Sequence, residues 1–146
     1  RPMKKGSNDS LQNWEKSIKV NSNAVYLLND LFCKFFKKKK FGRIINIGSI
    51  YGSIGPDFNL YKSENFELEP DYIYNKFGMI GLTKYFASKY GKENITINTI
   101  SPGGILANQS KSFIFKYSKK TFLKRMANKN EIFGLVEYIL SDKSNY

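Results

Sequence analysis

Residues 42–49 read GRIINIGS and residues 94–103 read NITINTISPG, and these two stretches decide the fold class. Each contains a run rich in β-branched residues, 43–47 and 94–100, that ends at glycine, serine or proline, which is typical of a buried strand. A helical pattern over residues 71–90 connects the two runs. Because a strand–helix–strand connection implies parallel pairing, the sequence predicts an α/β fold.

A long amphipathic helix is predicted before the first strand, over residues 11–39. Asn21 falls on its apolar stripe, where a buried amide costs free energy unless its hydrogen bonds are satisfied. Two interpretations follow from the periodicity: a buried asparagine bonded to nearby backbone, or a functional side chain. The stripe consists of Trp14, Ile18, Val25, Leu28, Phe32 and Phe35.

A tyrosine and a lysine four residues apart, Tyr72 and Lys76, indicate chemistry on the second helix. Residues i and i+4 share a helix face, and a nearby ammonium favours the phenolate form of a tyrosine. With the hydroxyl of Ser49 to hold a carbonyl oxygen, the pattern predicts a proton-transfer site for carbonyl or alcohol chemistry. The alternatives are a surface tyrosine and a turn serine. Tyr74 is a less suitable candidate because Gly78 occupies its i+4 position.

The candidate residues come directly after the predicted strands. Ser49 follows the first strand, and Pro102 and Gly103 follow the second. Open parallel sheets bind ligands at the edge formed by the carboxyl ends of their strands, so we expect these residues at one edge. The irregular stretch over residues 48–70 is long enough to be either a functional lid or a disordered segment.

Composition limits the function classes. The 146 residues suit one domain, and the net charge of +12 comes from lysines spread along most of the chain, which favours a solvated surface over a nucleic-acid partner. The sequence has no histidine and no spacing typical of a metal site, so we expect no metal. The single cysteine, Cys33, cannot form an internal disulfide and fits a reducing cytoplasm. No apolar run is long enough for a membrane span.

Taken in order, the motifs resemble the C-terminal part of a short-chain dehydrogenase/reductase. The resemblance rests on Asn21 after WEKSIKV, on GRIINIGS, on Tyr72-x-x-x-Lys76 followed by FGMIGLTK, and on NITINTISPG. It implies a Rossmann-like doubly wound parallel sheet, present here only as its C-terminal part. Residues 1–146 would then form the catalytic half of the domain, without the nucleotide-binding half and the last strand.

The same resemblance implies an NAD(P)-dependent oxidoreductase with four catalytic residues. Tyr72 would be the general acid/base, and Lys76 would promote its ionisation. Ser49 would orient the substrate carbonyl, and Asn21 would position a water in a proton relay.

The resemblance also implies how NAD or NADP would be bound. Tyr72 and Lys76 would contact the ribose of the nicotinamide, and Pro102, Gly103 and the backbone of Ile105 would border its ring. The choice between NAD and NADP depends on residues outside this sequence.

Within the family, residues 50–61 and 101–109 resemble flagellin-modification oxidoreductases of legionaminic-acid-type pathways. The stretch between Ser49 and Tyr72 is also longer than in most relatives, as in that subgroup. This implies a small-molecule substrate, a sugar or sugar phosphate used in bacterial surface-glycan biosynthesis.

The chain contains no glycine-rich phosphate-binding turn. We therefore expect a fragment that is inactive by itself, and an alternative is a catalytically inactive oligomerisation module. The helices matching residues 11–39 and 71–90 commonly form the subunit interface in the family, which implies a homo-oligomer for the full-length protein.

Overall fold

The computed structural model describes residues 10–146, and its centre is a pair of parallel strands. Strand β1 (Gly42–Ile47) pairs with β2 (Ile95–Ile100), with Gly42 opposite Ile95 and Ile47 opposite Ile100. Helix α3 (Pro70–Tyr90) connects them. The predicted α/β fold with parallel pairing is confirmed, and the strands and this helix begin within one residue of the predicted positions.

A widened turn interrupts the long helix before β1. Helix α1 (Ser10–Ile18) continues through a π-helical turn (Lys19–Asn23) into α2 (Ala24–Lys39), which ends where Lys40 adopts a left-handed conformation. The π-turn adds one residue to the helical repeat, so the buried stripe shifts by one position. After the turn Asn29 and Cys33 are buried, whereas the predicted Leu28, Phe32 and Phe35 are exposed.

The principal core lies between the sheet and the two long helices. Cys33 of α2 packs with Phe86 and Tyr90 of α3 against Ile95 and Ile97 of β2. β2 presents alternating isoleucines to this core, as the period-two pattern of a strand requires. The core therefore fixes α3 against β2, with its first turns beyond the carboxyl ends of both strands.

A second apolar cluster covers that end of the sheet. Leu60 and Tyr61, from the stretch after β1, pack with Phe113 of helix α4 (Lys111–Lys120) and with Met126. Polar contacts join the same segments: Ser110 Oγ donates to Glu64 at 2.6 Å. The long stretch over residues 48–70 is thus an ordered cover rather than a disordered segment.

The last helix, α5 (Phe133–Leu140), follows a 3₁₀ turn (Lys129–Ile132). Asn128 and Glu131 form a capping box that satisfies backbone N–H groups at the start of the turn.

None of the helices from residue 10 onward is both long and apolar enough to cross a bilayer.

Candidate active site

A cavity of about 780 Å³ opens at the carboxyl ends of β1 and β2. Its walls come from the π-turn, the segment after β1, the first half of α3 and the cover formed with α4. All seven site residues predicted from the sequence line it: Asn21, Ser49, Tyr72, Lys76, Pro102, Gly103 and Ile105.

Backbone hydrogen bonds hold the segments that follow the two strands side by side. The N–H of Gly48 donates to the carbonyl of Ile100 at 2.7 Å, and the N–H of Ile50 donates to that of Pro102 at 3.0 Å. These bonds extend the parallel ladder beyond the strands. Ser49 is therefore held next to the Pro102–Gly103 turn.

Ser49 is 7% exposed, and its Oγ accepts a hydrogen bond from the backbone N–H of Tyr51 at 3.2 Å. It caps a short 3₁₀ turn (Ile50–Gly52), so it is a turn serine as well as a cavity residue. Because its oxygen acts as acceptor there, its own proton remains available to a ligand oxygen.

Tyr72 and Lys76 lie on the same side of α3 and face the cavity. Lys76 Nζ is 5.7 Å from the centroid of the Tyr72 ring and donates to the carbonyl of Ile47 at 2.8 Å. Burial lowers the pKa of Lys76 below its ordinary value. The Tyr72 side chain, 38% exposed, packs edge-to-face on Tyr51. The phenol is thus accessible while the lysine is anchored to the end of β1.

A close backbone approach at Gly52 sets the position of α3 beside this turn. A Cβ atom at Gly52 would lie 2.7 Å from the backbone oxygen of Lys76, too close for any other residue without displacement. Gly52 therefore allows the segment after Ser49 to contact the helix at the residue that bears the ammonium.

Asn21 lies in the π-turn and is exposed, which corrects its predicted place on a buried stripe. Its Nδ2 donates to the backbone oxygen of Ser17 at 3.1 Å and is 3.3 Å from Ser17 Oγ. The expected backbone partner is therefore present, and the side chain also lines the cavity. Asn21 is therefore bonded to nearby backbone without being buried, and its functional role stays a prediction.

The backbone of Ile105 is oriented by a bridge to Ala127. The N–H of Leu106 donates to the carbonyl of Ala127, and the N–H of Ala127 donates to the carbonyl of Gly104. In a parallel bridge of this kind, the N–H and the carbonyl of Ile105 itself point away from Ala127. The carbonyl of Ile105 accepts from Gln109 Nε2 at 2.9 Å. Of the N–H and the carbonyl of Ile105, the N–H is therefore the group available to bind a carboxamide.

Three tyrosines and one asparagine in the cavity wall are not among the site residues predicted from the sequence. Tyr51 and Tyr61 place their hydroxyls 3.2 Å apart, and burial raises the pKa of both. Tyr117 lies against Gly104, whose N–H donates to its hydroxyl. Asn75 is buried next to Lys76. Its position immediately before Lys76 was the only signal in the sequence.

No group of three metal-ligating side chains occurs within residues 10–146.

The residues at this edge fit the nicotinamide end of a dinucleotide. The ammonium of Lys76 has donors beyond the one that Ile47 accepts, and Gly103 and Ile105 also line the cavity and offer backbone groups. The chain holds no glycine-rich turn for the phosphates. The fit is therefore limited to the nicotinamide and its ribose.

Comparison with known proteins identifies a family over nearly the whole chain. A family model described as enoyl-(acyl carrier protein) reductase, of the short-chain dehydrogenase/reductase type, matches residues 2–146. Post-translational flagellin modification protein A of Campylobacter coli is 34% identical over 90% of this chain and 51% of its own length. A 3-oxoacyl-[acyl-carrier-protein] reductase of Buchnera aphidicola is 32% identical over 94% of this chain and 54% of its own.

Solved structures show the same relationship. A short chain dehydrogenase from Leptospira borgpetersenii with bound NAD+ superposes with a TM-score of 0.88 at 36% identity, covering 100% of this chain and 56% of that one. A gluconate 5-dehydrogenase from Burkholderia cenocepacia, 18% identical with a TM-score of 0.83 over 99% of this chain and 55% of that one, shows the fold alone. The chain spans about half the length of these relatives and corresponds to their C-terminal half.

Proposed function

The chain belongs to the short-chain dehydrogenase/reductase family, and from this premise we propose that the protein is an NAD(P)-dependent oxidoreductase whose catalytic half is this chain. The observation that carries the proposal is the shared cavity. Ser49, Tyr72 and Lys76, which come from two separate elements, line one space at the carboxyl ends of parallel strands. This is the edge at which open parallel sheets bind ligands.

In the proposed reaction Tyr72 transfers the proton. Its hydroxyl donates to the oxygen of a carbonyl substrate, and in the reverse direction the phenolate accepts the proton of the alcohol. The Ser49 hydroxyl donates a hydrogen bond to the same oxygen and so orients it. The nicotinamide supplies or accepts the hydride when bound.

Lys76 and Asn21 support this proton transfer in the proposal. The ammonium of Lys76 favours the phenolate by proximity, and it also contacts the ribose of the nicotinamide together with Tyr72. Asn21, on the facing π-turn, positions a water that connects Lys76 to solvent. Pro102, Gly103 and the N–H of Ile105 border the nicotinamide ring.

We propose a sugar derivative of bacterial surface-glycan biosynthesis as the substrate. The cavity wall combines aromatic surfaces with hydroxyls, from Tyr51, Tyr61 and Tyr117, and this combination suits a ring that is apolar on its faces and polar at its edge. The flagellin modification relative supports the same choice. The acyl-carrier relatives make a 3-oxoacyl thioester the competing substrate. Turnover of the thioester but of no keto sugar in a side-by-side assay would overturn the proposal.

We also propose that the full-length protein is a cytoplasmic homo-oligomer. Helices α2 and α3 expose apolar side chains, among them Leu27, Leu31 and Phe77, that a second subunit would cover. Cys33 is a buried free thiol, in keeping with a reducing compartment. The same faces support the alternative of a chain that assembles without catalysing a reaction.

The proposed function is tested by replacing Tyr72 with Phe in the full-length protein. We expect Tyr72→Phe to lower kcat by a factor of about 10² or more, within the range of acid–base catalysis, while NAD(H) still binds. Tyr74→Phe is the matched control, because this exposed tyrosine lies two residues away on α3 and has Gly78 in place of the lysine. Equal activity of the two variants would reject Tyr72 as the acid/base.

A further inference from the structure

Asn75 is a buried amide in the catalytic helix for which the proposed reaction has no use. It lies in α3 between Tyr72 and Lys76, is only 2% exposed, and borders the cavity. An amide this deeply buried is costly unless its donor and acceptor are both satisfied. Its partners therefore show what it holds in place.

Both hydrogen-bond partners of the Asn75 amide lie in the helical segment that precedes β1, one in α1 and one in the π-turn. Its Nδ2 donates to Ser17 Oγ at 3.0 Å, and its Oδ1 accepts from Ser22 Oγ at 2.5 Å. The two serines are five positions apart in the sequence. On a regular α-helix they would lie about 140° apart around the axis. Ser17 is in the last turn of α1 and Ser22 is in the π-turn, so the wider helical repeat between them reduces this angle. The π-turn thus brings the two serines together, and the Asn75 amide bridges them.

The same hydroxyl connects Asn75 to Asn21. Ser17 Oγ accepts from Asn75 and is 3.3 Å from the Nδ2 of Asn21, which also donates to the Ser17 carbonyl. Resting on the proposed function, we propose that Asn75 is a positioning residue that fixes the π-turn against α3, so that Asn21 faces the cavity shared by Tyr72 and Lys76. It acts through Ser17 and Ser22 and does not itself contact the reacting atoms.

A second asparagine provides a matched control. Asn29 is also 2% exposed and bridges elements by its amide, donating to the Val25 carbonyl at 2.8 Å and to Asn46 Oδ1 at 3.1 Å. It does not line the described cavity. Replacing either asparagine with leucine, of similar size, removes one buried bridging amide, but only one of the two replacements affects the π-turn.

The experiment compares Asn75→Leu with Asn29→Leu in the full-length protein, measuring Tm, kcat, KM for the nucleotide and the pH profile of kcat. We expect both variants to lose thermal stability. Only Asn75→Leu lowers kcat, by about tenfold or more, and changes the pH profile, with KM changed by less than about twofold. Equal kcat losses in the two variants, or an unchanged pH profile in Asn75→Leu, would overturn the proposal.

If Asn75→Leu does not fold, the serine provides the milder test. Ser22→Ala removes the donor to Asn75 and Ser22→Thr keeps it, so we expect the alanine to show the kcat and pH effects and the threonine to restore them. An alanine variant indistinguishable from the threonine variant would count against the bridge.

Hydrogen exchange separates failure of this proposal from failure of the proposed function. Amides of residues 19–23 should exchange faster in Ser22→Ala than in Asn29→Leu, whether or not the protein turns over a substrate. If exchange is faster in Ser22→Ala but the Tyr72→Phe variant is fully active, the proposed function is rejected and the positioning role is kept. Unchanged exchange would reject the positioning role alone.

Discussion

Lys76 combines a charge with a structural hydrogen bond. Its ammonium donates to the carbonyl of Ile47 at the end of β1 and lies beside the Tyr72 ring. This anchor keeps the charge at the tyrosine even though burial disfavours it. The sequence revealed the pair because helical spacing is fixed, whereas the anchor depends on the packing of α3 against the sheet, which no local pattern encodes.

Replacing Lys76 with Met tests the burial of this charge. Burial lowers the pKa of Lys76 in the folded state, so the unfolded chain binds the proton more tightly. Stability should therefore rise with pH through the interval just below the usual value of 10.5, and Lys76→Met should lack this rise. Denaturant titrations of both proteins across that interval measure the difference. Parallel pH dependences would show that the charge is not buried as described.

The burial of Asn75 could not be predicted from its own position in the sequence. Its type and place were visible next to Lys76, but its burial follows from the contact with the π-turn on another helix. The apolar stripe likewise predicts either a buried, backbone-bonded amide or a functional side chain at Asn21. Only the structure shows that it is bonded to Ser17 and also lines the cavity.

The elements that the sequence predicted well are those with a clear period. The two strands and α3 begin within one residue of their predicted positions because their apolar runs are bounded by turn residues. The long first helix was predicted, but its buried face was not. A π-turn has no simple sequence signal, and one inserted residue is enough to transfer the buried stripe from Leu28 and Phe32 to Asn29 and Cys33.

Gly52 allows the segment after β1 to contact α3, and Gly52→Ala tests this contact. Because the new Cβ would meet the backbone oxygen of Lys76 at 2.7 Å, we expect a loss of about 1–3 kcal/mol in the free energy of unfolding. Activity should fall with it, since the displaced helix carries Lys76. Gly55→Ala is the control, with no atom within 4 Å of its Cβ. Its free energy of unfolding should change by less than about 0.5 kcal/mol. A Gly52 variant as stable as this control would contradict the close approach.

The capping box before α5 predicts an acid-dependent loss of stability. Hydrogen bonds from Arg125 and from the N–H of Asn128 hold the pKa of Glu131 at about 2, below its usual 4.5. The carboxylate therefore stabilises the fold above pH 4.5, and this contribution disappears as the pH falls toward 2. Glu131→Gln should be less stable than the natural protein at pH 7 and equal to it near pH 2. Urea titrations at several pH values check this, with the exposed Glu137→Gln as control.

At the scale of the whole molecule, apolar surface on α2 and α3 has no partner within residues 10–146. Gly78 and Gly81 of α3 have open space around them, so no described residue packs closely against the helix at these two glycines. Neither period nor composition reveals such faces, because an exposed stripe and a buried stripe have the same sequence pattern. The proposed oligomer accounts for both observations.

Leu31→Glu tests the oligomer directly. Leu31 is exposed on α2, and a carboxylate there would be buried at a subunit interface, so we expect the full-length variant to sediment as a smaller species. Phe122→Glu, at a fully exposed position after α4, should leave the mass unchanged. Two variants with the same sedimentation as the natural protein would exclude α2 from the interface.

In the proposed function, the cavity at the ends of β1 and β2 holds a nicotinamide beside Tyr72. A crystal structure of the full-length protein with NAD(H) or NADP(H) tests it most directly. We predict the nicotinamide ring against Pro102 and Gly103 and its ribose within hydrogen-bonding distance of Tyr72 and Lys76. A dinucleotide bound elsewhere, with its ribose out of reach of Lys76, would contradict the account.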